Sequence, residues 1–401
     1  MYGLRQAPRW FYDHLHALLI KYGFKQATCE PCLYTRDLGT ADAIILSVVV
    51  DDLLAIACKT STIDKFRAQL AADVKLSLFE EVRQYLGMHV VDTPMCLTID
   101  QEDYIDRLLF RVTMTDCKSC DTPMAEEDLQ PAKDEDVLST PDRQFFQFLV
   151  GSLMHVYVCT RPEIGCSLQA VCKYLARPGR THLLAAKRIL RYLKGTKHLR
   201  LTYRRPTNAA LLNRFFMFSD ANWGGTHSDR RSIGGGGCYF HGALIAWSSK
   251  RLPVITLSSA ESEYTQLSLI TLMALHIRNL ASDMGIAQLS PTVTFEDNQP
   301  AIKIANNPIS SSRSRHIDIK YHAIREHVLR GNIALVYLET ALMIADIFTK
   351  PLGRILFKRF RDIILGHEPF DHEILRSMTT ATTPTPSAAA VTLLTFVSKL
   401  F

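Results

Sequence analysis

Acidic residues placed where predicted strands end and predicted helices begin could carry out metal-dependent chemistry in this sequence. Asp220 directly follows one predicted strand and Asp297 ends another. Asp346 opens a helix just after a third strand, and Glu263 lies in the first turn of a long predicted helix. Taken singly, each acid has a structural alternative as a turn, N-cap or first-turn residue. Together, four acids around one small sheet can converge on a pair of divalent cations, which activate a water and stabilise the leaving oxygen of a phosphodiester.

Two glutamates lie in that first helical turn, and they are not equivalent. At about 100° per residue, Glu263 heads an apolar stripe that continues through Leu267 and Ile270, whereas Glu261 points roughly to the opposite side. Glu261 also fits a capping box that starts at Ser258. Glu263 is therefore the functional candidate, although further leucines make the helix apolar almost all round.

A second pair of acids interrupts a strongly apolar run between residues 44 and 58. Asp51 and Asp52 would lie at the tip of a β-hairpin formed by this run. There they could bind one or two hard divalent cations through oxygen. They could equally form an ordinary surface turn, because aspartate is a good turn residue. The local sequence leaves both readings open.

The elements that would position these acids fall into successive groups. Helix and strand signals alternate over residues 1–115, and a polar, acidic, proline-containing linker follows at 116–141. Helices are predicted at 145–175 and 181–193. From residue 215, three hairpin-connected strands and then alternating helices and strands predict a mixed sheet with helices packed on it. After about residue 369 the chain is expected to become irregular, and it is predicted to be disordered beyond 370.

Length and composition indicate a globular protein of two to three domains. The chain has 401 residues, of which 47% are apolar and 21% charged, so it resembles neither a disordered chain, a collagen nor a disulfide scaffold. We read no signal peptide and no run long enough to span a bilayer, and we therefore expect an intracellular protein without membrane contact. The ten cysteines are expected to be reduced, and two CxxC pairs lie too far apart for one zinc ribbon.

Charge is distributed unevenly. The net charge is +6, but residues 164–219 hold twelve Lys and Arg and no Asp or Glu, so that the rest of the chain sums to −6.

Short motifs along the chain occur in an order that resembles the end of the Pol polyprotein of copia-type retrotransposons. The resemblance covers residues 1 to about 355. Its motifs include Tyr2-Gly3-Leu4-Arg5, Val49-Val50-Asp51-Asp52, Tyr192-Leu193-Lys194-Gly195-Thr196, Ser219-Asp220-Ala221, Ser259-Ala260-Glu261-Ser262-Glu263, Asp297-Asn298, Arg315-His316-Ile317-Asp318 and Ala345-Asp346-Ile347-Phe348-Thr349-Lys350.

The resemblance implies an α+β, mixed α/β architecture. It implies a partial reverse transcriptase palm and the start of a thumb at 1–115, a linker with thumb or connection helices at 116–213, a ribonuclease H-like five-stranded mixed sheet with helices at 214–355, and a tail at 356–401. It assigns Asp51 and Asp52 to the polymerase hairpin. It further implies metal-binding, catalytic roles for the four acids of the second half, which are Asp220, Glu263, Asp297 and Asp346.

The implied reaction is hydrolysis of the RNA strand of an RNA–DNA hybrid, leaving a 3′-hydroxyl and a 5′-phosphate. Two Mg²⁺ per ribonuclease H site would serve as cofactors, with Mn²⁺ as a substitute. The implied partners are the hybrid and a template–primer, in a cytoplasmic retrotransposon particle or in the nucleus. The basic segment would then lie between polymerase and nuclease and contact phosphates, unless it is simply a solvated helix face. Its candidate contacts are Lys173, Arg177, Arg180, Lys187, Arg188, Arg191 and Lys194.

Departures from the family pattern limit these expectations. The chain starts too late to include the fingers and a further palm aspartate, so we expect no DNA polymerisation by this chain alone. Val49 replaces a tyrosine of the hairpin motif, Asn222 replaces a second acid, and the run 234–237 consists of glycine. The alternative to an active ribonuclease H is a catalytically silent, nucleic-acid-binding remnant of a degraded element.

Overall fold

The computed structural model describes residues 6–75, 82–125, 129–204, 214–224, 231–307 and 322–381. The chain forms two compact units, one from residues 1–81 and 273–289 and the other from residues 82–272 and 290–383. Within the described residues, no helix is both long and apolar enough to cross a membrane.

The first unit contains a four-stranded antiparallel sheet whose strands follow one another in chain order. The apolar faces of its two N-terminal helices supply buried core residues such as Leu19 and Phe66. Phe66 packs on Phe24 at 5.1 Å between ring centroids. The elements are α1 (Ala7–Lys21), β1 (Lys25–Gln26), β2 (Leu33–Arg36), β3 (Ile44–Val49), β4 (Asp52–Ala57) and α2 (Thr60–Asp73).

The predicted β-hairpin is confirmed as β3 and β4, with Val49 paired to Asp52. Only Val50 and Asp51 remain in the turn. Val50 has φ 57° and its side chain is exposed. Because a β-branched residue rarely adopts a left-handed conformation, the hairpin tip is strained next to its two acids.

The second unit begins with another four-stranded antiparallel sheet and a group of helices. Its strands, in spatial order, are β5 (Gln84–Tyr85), β6 (Met88–Asp92), β7 (Cys96–Asp100) and β8 (Leu201–Arg204). The helices are α3 (Glu102–Arg111), α4 (Thr140–Cys159), α5 (Gly165–Cys172) and α6 (Arg180–Gly195).

The single helix predicted at 145–175 is wrong, because the chain breaks between α4 and α5. Pro162 lacks a backbone N–H and cannot continue the helix. A buried ion pair stabilises the break: Arg161 Nε donates to Glu163 Oε1 at 2.7 Å, and Tyr192 of α6 donates to the same oxygen at 3.1 Å.

The predicted mixed sheet is confirmed in the second unit. Its strands are β9 (Phe215–Asn222), β10 (Ile233–Phe240), β11 (Ala243–Arg251), β12 (Thr292–Glu296) and β13 (Ile333–Tyr337), in the spatial order β11-β10-β9-β12-β13. The first three are antiparallel, and β12 runs parallel to both β9 and β13. The helices in this part of the chain are α7 (Ser259–Asp283), α8 (Gln299–Asn306), α9 (Ala323–Leu329), α10 (Asp346–Thr349), α11 (Arg354–Ile364) and α12 (His372–Ala381). Residues 273–283 of α7 are counted with the first unit.

The glycine run lies inside β10, where α7 and α10 approach the two faces of the strand closely. A Cβ at Gly236 would overlap the carbonyl oxygen of Phe218, and one at Gly235 would lie 2.5 Å from Cβ of Phe348 on α10. Glycine is therefore needed here for close packing.

Helix α12 forms where the sequence predicted irregular, disordered chain. Its residues Ile374 and Met378, one turn apart, are both buried. Just before it, Phe370 packs on Phe216 and Tyr239 with ring centroids 5.4 and 5.3 Å apart. This burial of apolar side chains outweighs the irregular local composition. The remainder of the predicted tail, 382–401, and the motif at 315–318 lie outside the described residues.

Candidate active site

Three of the predicted acids converge at the carboxyl ends of two neighbouring central strands of the mixed sheet, β9 and β12. Phe295 of β12 pairs in parallel with Phe218 of β9, and Asp297 and Asp220 each lie two residues further along their chains. Glu263 approaches from the first turn of α7. Each of the three acids offers a carboxylate oxygen, and these oxygens all lie within 4.8 Å of one another. Such a cluster of hard oxygen ligands suits a divalent cation.

The fourth acid, Asp346, is joined to this cluster through a lysine. Lys350 Nζ lies 2.8 Å from Asp346 Oδ1 and 3.9 Å from Asp220 Oδ1. The neighbouring Thr349 hydroxyl donates a hydrogen bond to Asp220 Oδ2. Asp220 therefore takes part both in the three-acid cluster and in the contacts around Asp346. Thr340 orients Asp297, because the Thr340 hydroxyl donates a hydrogen bond to Asp297 Oδ2 at 2.7 Å.

The electrostatics of the site oppose full ionisation of its acids. Burial raises the pKa of Asp220, against the opposing effect of Lys350. Burial, followed by the neighbouring acids, also raises the pKa of Glu263 far above its ordinary value and that of Asp346 to about 7. Lys350 supplies positive charge, and the facing carboxylates outweigh burial and raise its pKa. Within the described part of the chain, Lys350 faces several acids, and a bound cation would stabilise the negative charge that remains.

A fifth acid, Glu296, is part of this region and was not predicted. It is fully buried; Oε1 accepts from the backbone N–H of Asn298 at 3.1 Å, and Oε2 has no hydrogen-bond partner. By strand alternation it faces away from Asp297, and its charge raises the pKa of Glu263. The signal in the sequence was a charged residue on a strand that is otherwise buried.

The donor set fits Mg²⁺. All the side chains of the cluster offer carboxylate oxygen, the class of ligand that Mg²⁺ prefers. Glu263 Oε2 is buried and lacks a hydrogen-bond partner, so it has a free ligand position. Glu261 is used elsewhere: it accepts from the backbone N–H of Leu257 at 2.7 Å, and its own N–H donates to Ser258 Oγ at 3.2 Å. This confirms its helix-capping role, in a variant in which the carboxylate reaches one residue further back.

Comparisons with known proteins agree with the sequence motifs. Residues 1–126 match the family model described as reverse transcriptase (RNA-dependent DNA polymerase). The Pol polyprotein from transposon RE1 of Arabidopsis thaliana is 32% identical over 360 residues, which cover 90% of this chain and 24% of that protein. The Pol polyprotein from transposon TNT 1-94 of Nicotiana tabacum is 30% identical over 377 residues, covering 92% of this chain and 28% of that protein. A transposon Ty5-1 protein of Saccharomyces cerevisiae is 31% identical over 267 residues, covering 66% of this chain and 84% of that protein.

The chain belongs to the copia-type retrotransposon Pol family. It spans about a quarter of the length of the plant Pol polyproteins that it matches.

In this Pol segment the reverse transcriptase match includes the hairpin of Asp51 and Asp52. Both aspartates are exposed at the strained tip. Across the described residues, three or more potential metal ligands come together only at Asp220, Glu263 and Asp297. The structure thus confirms the hairpin but brings no third described ligand to Asp51 and Asp52. Their catalytic and metal-binding roles stay predictions.

The basic helix α6 uses several of its charges inside the Pol segment. Arg188, Arg191 and Lys194 donate at 2.6–3.0 Å to oxygen atoms within residues 117–122. These three cations therefore anchor the predicted linker to α6. To contact a phosphate through the same N–H groups, each of these side chains would have to give up its hydrogen bond to the linker.

Two of the other basic candidates make contacts outside residues 117–122. Arg177 forms an ion pair with Asp134, and the Lys187 ammonium lies 5.7 Å from the ring centroid of Phe145. Their proposed role in binding phosphate stays a prediction, as it does for the remaining two, Lys173 and Arg180.

Proposed function

We propose that the acid cluster of this Pol segment is the active site of a metal-dependent ribonuclease H. The reaction is hydrolysis of the RNA strand of an RNA–DNA hybrid to a 3′-hydroxyl and a 5′-phosphate. The observation that carries the proposal is the convergence of Asp220, Glu263 and Asp297 within 4.8 Å. Support also comes from Asp346, which Lys350 links to the same cluster.

The acids of the cluster would together hold two Mg²⁺. When bound, the cation pair would activate the attacking water and stabilise the leaving oxygen. Glu263 offers its unpartnered oxygen, and Asp297 its carboxylate oriented by Thr340. Asp220 belongs to the three-acid cluster and also contacts Lys350 and Thr349 beside Asp346. We therefore expect substitution of Asp220 to reduce cleavage the most. Mn²⁺ can substitute, because it accepts the same carboxylate ligands.

The hybrid is the proposed substrate because reverse transcription produces it, and contacts to the 2′-hydroxyl would select the RNA strand. Cleavage of a hybrid labelled on either strand, compared with duplex RNA and duplex DNA, tests this selectivity. We expect cuts in the RNA strand of the hybrid alone, and only with Mg²⁺ or Mn²⁺. Hybrid binding without cleavage would instead identify the catalytically silent remnant.

We also propose that the 401-residue chain does not polymerise DNA by itself. The support is that Asp51 and Asp52 have no third ligand nearby among the described residues, whereas polymerase chemistry uses a pair of cations held by shared carboxylates. The test is nucleotide incorporation on a primed RNA template. Incorporation that is lost in Asp51→Asn would overturn the proposal.

A further inference from the structure

An exposed apolar patch lies at the end of β9, just beyond Asp220. It consists of Trp223, Ile255 and Leu257, whose exposed fractions are 52%, 57% and 71%. The indole N–H of Trp223 donates to the carbonyl oxygen of Thr256 at 3.2 Å, so Trp223 lies against the segment that carries the other two. We call these three residues the Trp223 patch.

A buried polar network fixes the backbone beneath the patch. Thr256 and Ser232 are buried, and their hydroxyls are 3.0 Å apart. Ser232 Oγ also accepts from the backbone N–H of Gly224 at 3.3 Å. The segments on both sides of Trp223 are therefore tied together by hydrogen bonds. A tryptophan fixed in this way, with half of its surface in solvent, is preorganised to contact a partner.

The patch and the proposed active site are carried by the same chain segments. Trp223 lies three residues after Asp220 on the same chain segment. Leu257 donates its backbone N–H to Glu261, two residues before Glu263. The chain leaves β11 through Lys250 and Arg251, which are exposed and lie a few residues before the patch. An exposed apolar patch on the chain segments that also carry two exposed cations and the proposed metal-binding acids suits an anionic polymer with apolar faces.

We propose that the Trp223 patch contacts the sugar faces of the nucleic acid strand bound at the acid cluster, an inference that rests on the proposed ribonuclease H function. A nucleotide that flanks the reacting phosphate must cross the surface next to the acids. In a duplex the bases are stacked, so the sugars are the apolar groups available to Trp223. Contacts to sugars tolerate any base sequence, because the sugar is the same in every nucleotide of a strand. A nuclease that acts along a whole transcript requires such tolerance.

Binding of a hybrid to the full chain tests the patch. Affinity is measured in Ca²⁺, with the integrity of the RNA checked afterwards. We expect Trp223→Ala to raise Kd about tenfold, in the range of alanine substitution at aromatic contacts to nucleic acid, and Trp223→Phe to raise it far less. The salt dependence of Kd should not change in Trp223→Ala, because no charge is lost. Leu272→Ala, an exposed leucine on α7, is the matched control and should bind like the unaltered chain.

Further outcomes separate the inference from the proposed function. If Trp223→Ala fails to fold, Leu257→Ala replaces it, with a smaller expected rise in Kd. An unchanged Kd in chains that still cleave the hybrid would overturn the patch and leave the nuclease standing. Loss of self-association with unchanged Kd would show a protein contact and overturn it too. A Trp223-dependent Kd in a chain that never cleaves would support the patch and reject the nuclease.

Discussion

The ammonium of Lys350 lies 2.8 Å from Asp346 Oδ1, one helical turn earlier in the chain. The same group is 3.9 Å from Asp220 Oδ1. In the absence of a cation, Lys350 thus supplies positive charge that compensates two buried carboxylates. The metal-free site should depend on this residue for stability.

Lys350→Met should lower the free energy of unfolding in EDTA by about 1–2 kcal/mol. This loss lies between those expected for exposed and for buried ion pairs, because the lysine is partly exposed. Urea unfolding measures this effect. Lys250→Met, at an exposed lysine on β11, is the control and should change stability by less than about 0.5 kcal/mol. Equal effects of the two substitutions would show that Lys350 does not compensate the acids.

Stability without metal should fall as the pH rises. Burial and the charge of Asp220 raise the pKa of Asp346 from 3.8 to about 7. Between these values the folded state binds more protons at Asp346 than the unfolded state does. The contribution of Asp346 to stability is therefore fully present below about pH 4 and is lost as the pH rises through about 7. Unfolding free energies at pH 5 and 8 in EDTA should show this decrease, and Asp346→Asn should reduce it. A pH dependence unaltered by Asp346→Asn would contradict the assignment.

Gly236→Ala should destabilise the second unit by about 1–3 kcal/mol, because the added methyl group overlaps the carbonyl oxygen of Phe218. Gly151→Ala in α4 is the matched control. A methyl group there has nothing within 4 Å, and alanine is the better helix former, so stability should rise by up to about 1 kcal/mol. Chemical denaturation of both variants measures the difference, and a loss of stability at both glycines would argue against a specific role for close packing at β10.

Val50→Gly should stabilise the hairpin by about 0.5–1 kcal/mol. Relief of the left-handed conformation is partly offset by the flexibility that glycine adds to the unfolded chain. Val49→Gly, inside β3, should instead lower stability. Thermal unfolding of both variants checks the opposite signs, and destabilisation by Val50→Gly would show that the turn is not strained.

Much of the site could be predicted from local sequence. Asp297 and Glu263 were identifiable because strand ends and helix starts are visible in the pattern of apolar residues. Glu296 was missed because it was read as the last residue of a strand, although alternation places it inside the fold. Its charge on an otherwise uncharged strand was a local signal, but the depth of its burial depends on the packing around the sheet.

Other differences between expectation and structure have the same origin in long-range contacts. Arg191 and Lys194 looked like a solvent-facing basic stripe, yet each donates to a carbonyl oxygen more than 70 residues earlier in the chain. Helix α12 was not expected because the burial of its residues Ile374 and Met378, and of Phe370 just before it, depends on long-range packing. Only Pro162 carried a local warning, since proline interrupts a helix at that position.

The central claim is that the acid cluster hydrolyses RNA in a hybrid with bound Mg²⁺. The most direct test is the rate of RNA cleavage in a labelled RNA–DNA hybrid by the full chain, by Asp220→Asn and by Asp142→Asn, an exposed acid of the same unit. We predict Mg²⁺-dependent cleavage by the unaltered chain and by Asp142→Asn, and a loss of about a thousandfold in Asp220→Asn, as for other preorganised catalytic groups. Equal rates for the unaltered chain and Asp220→Asn would contradict the account.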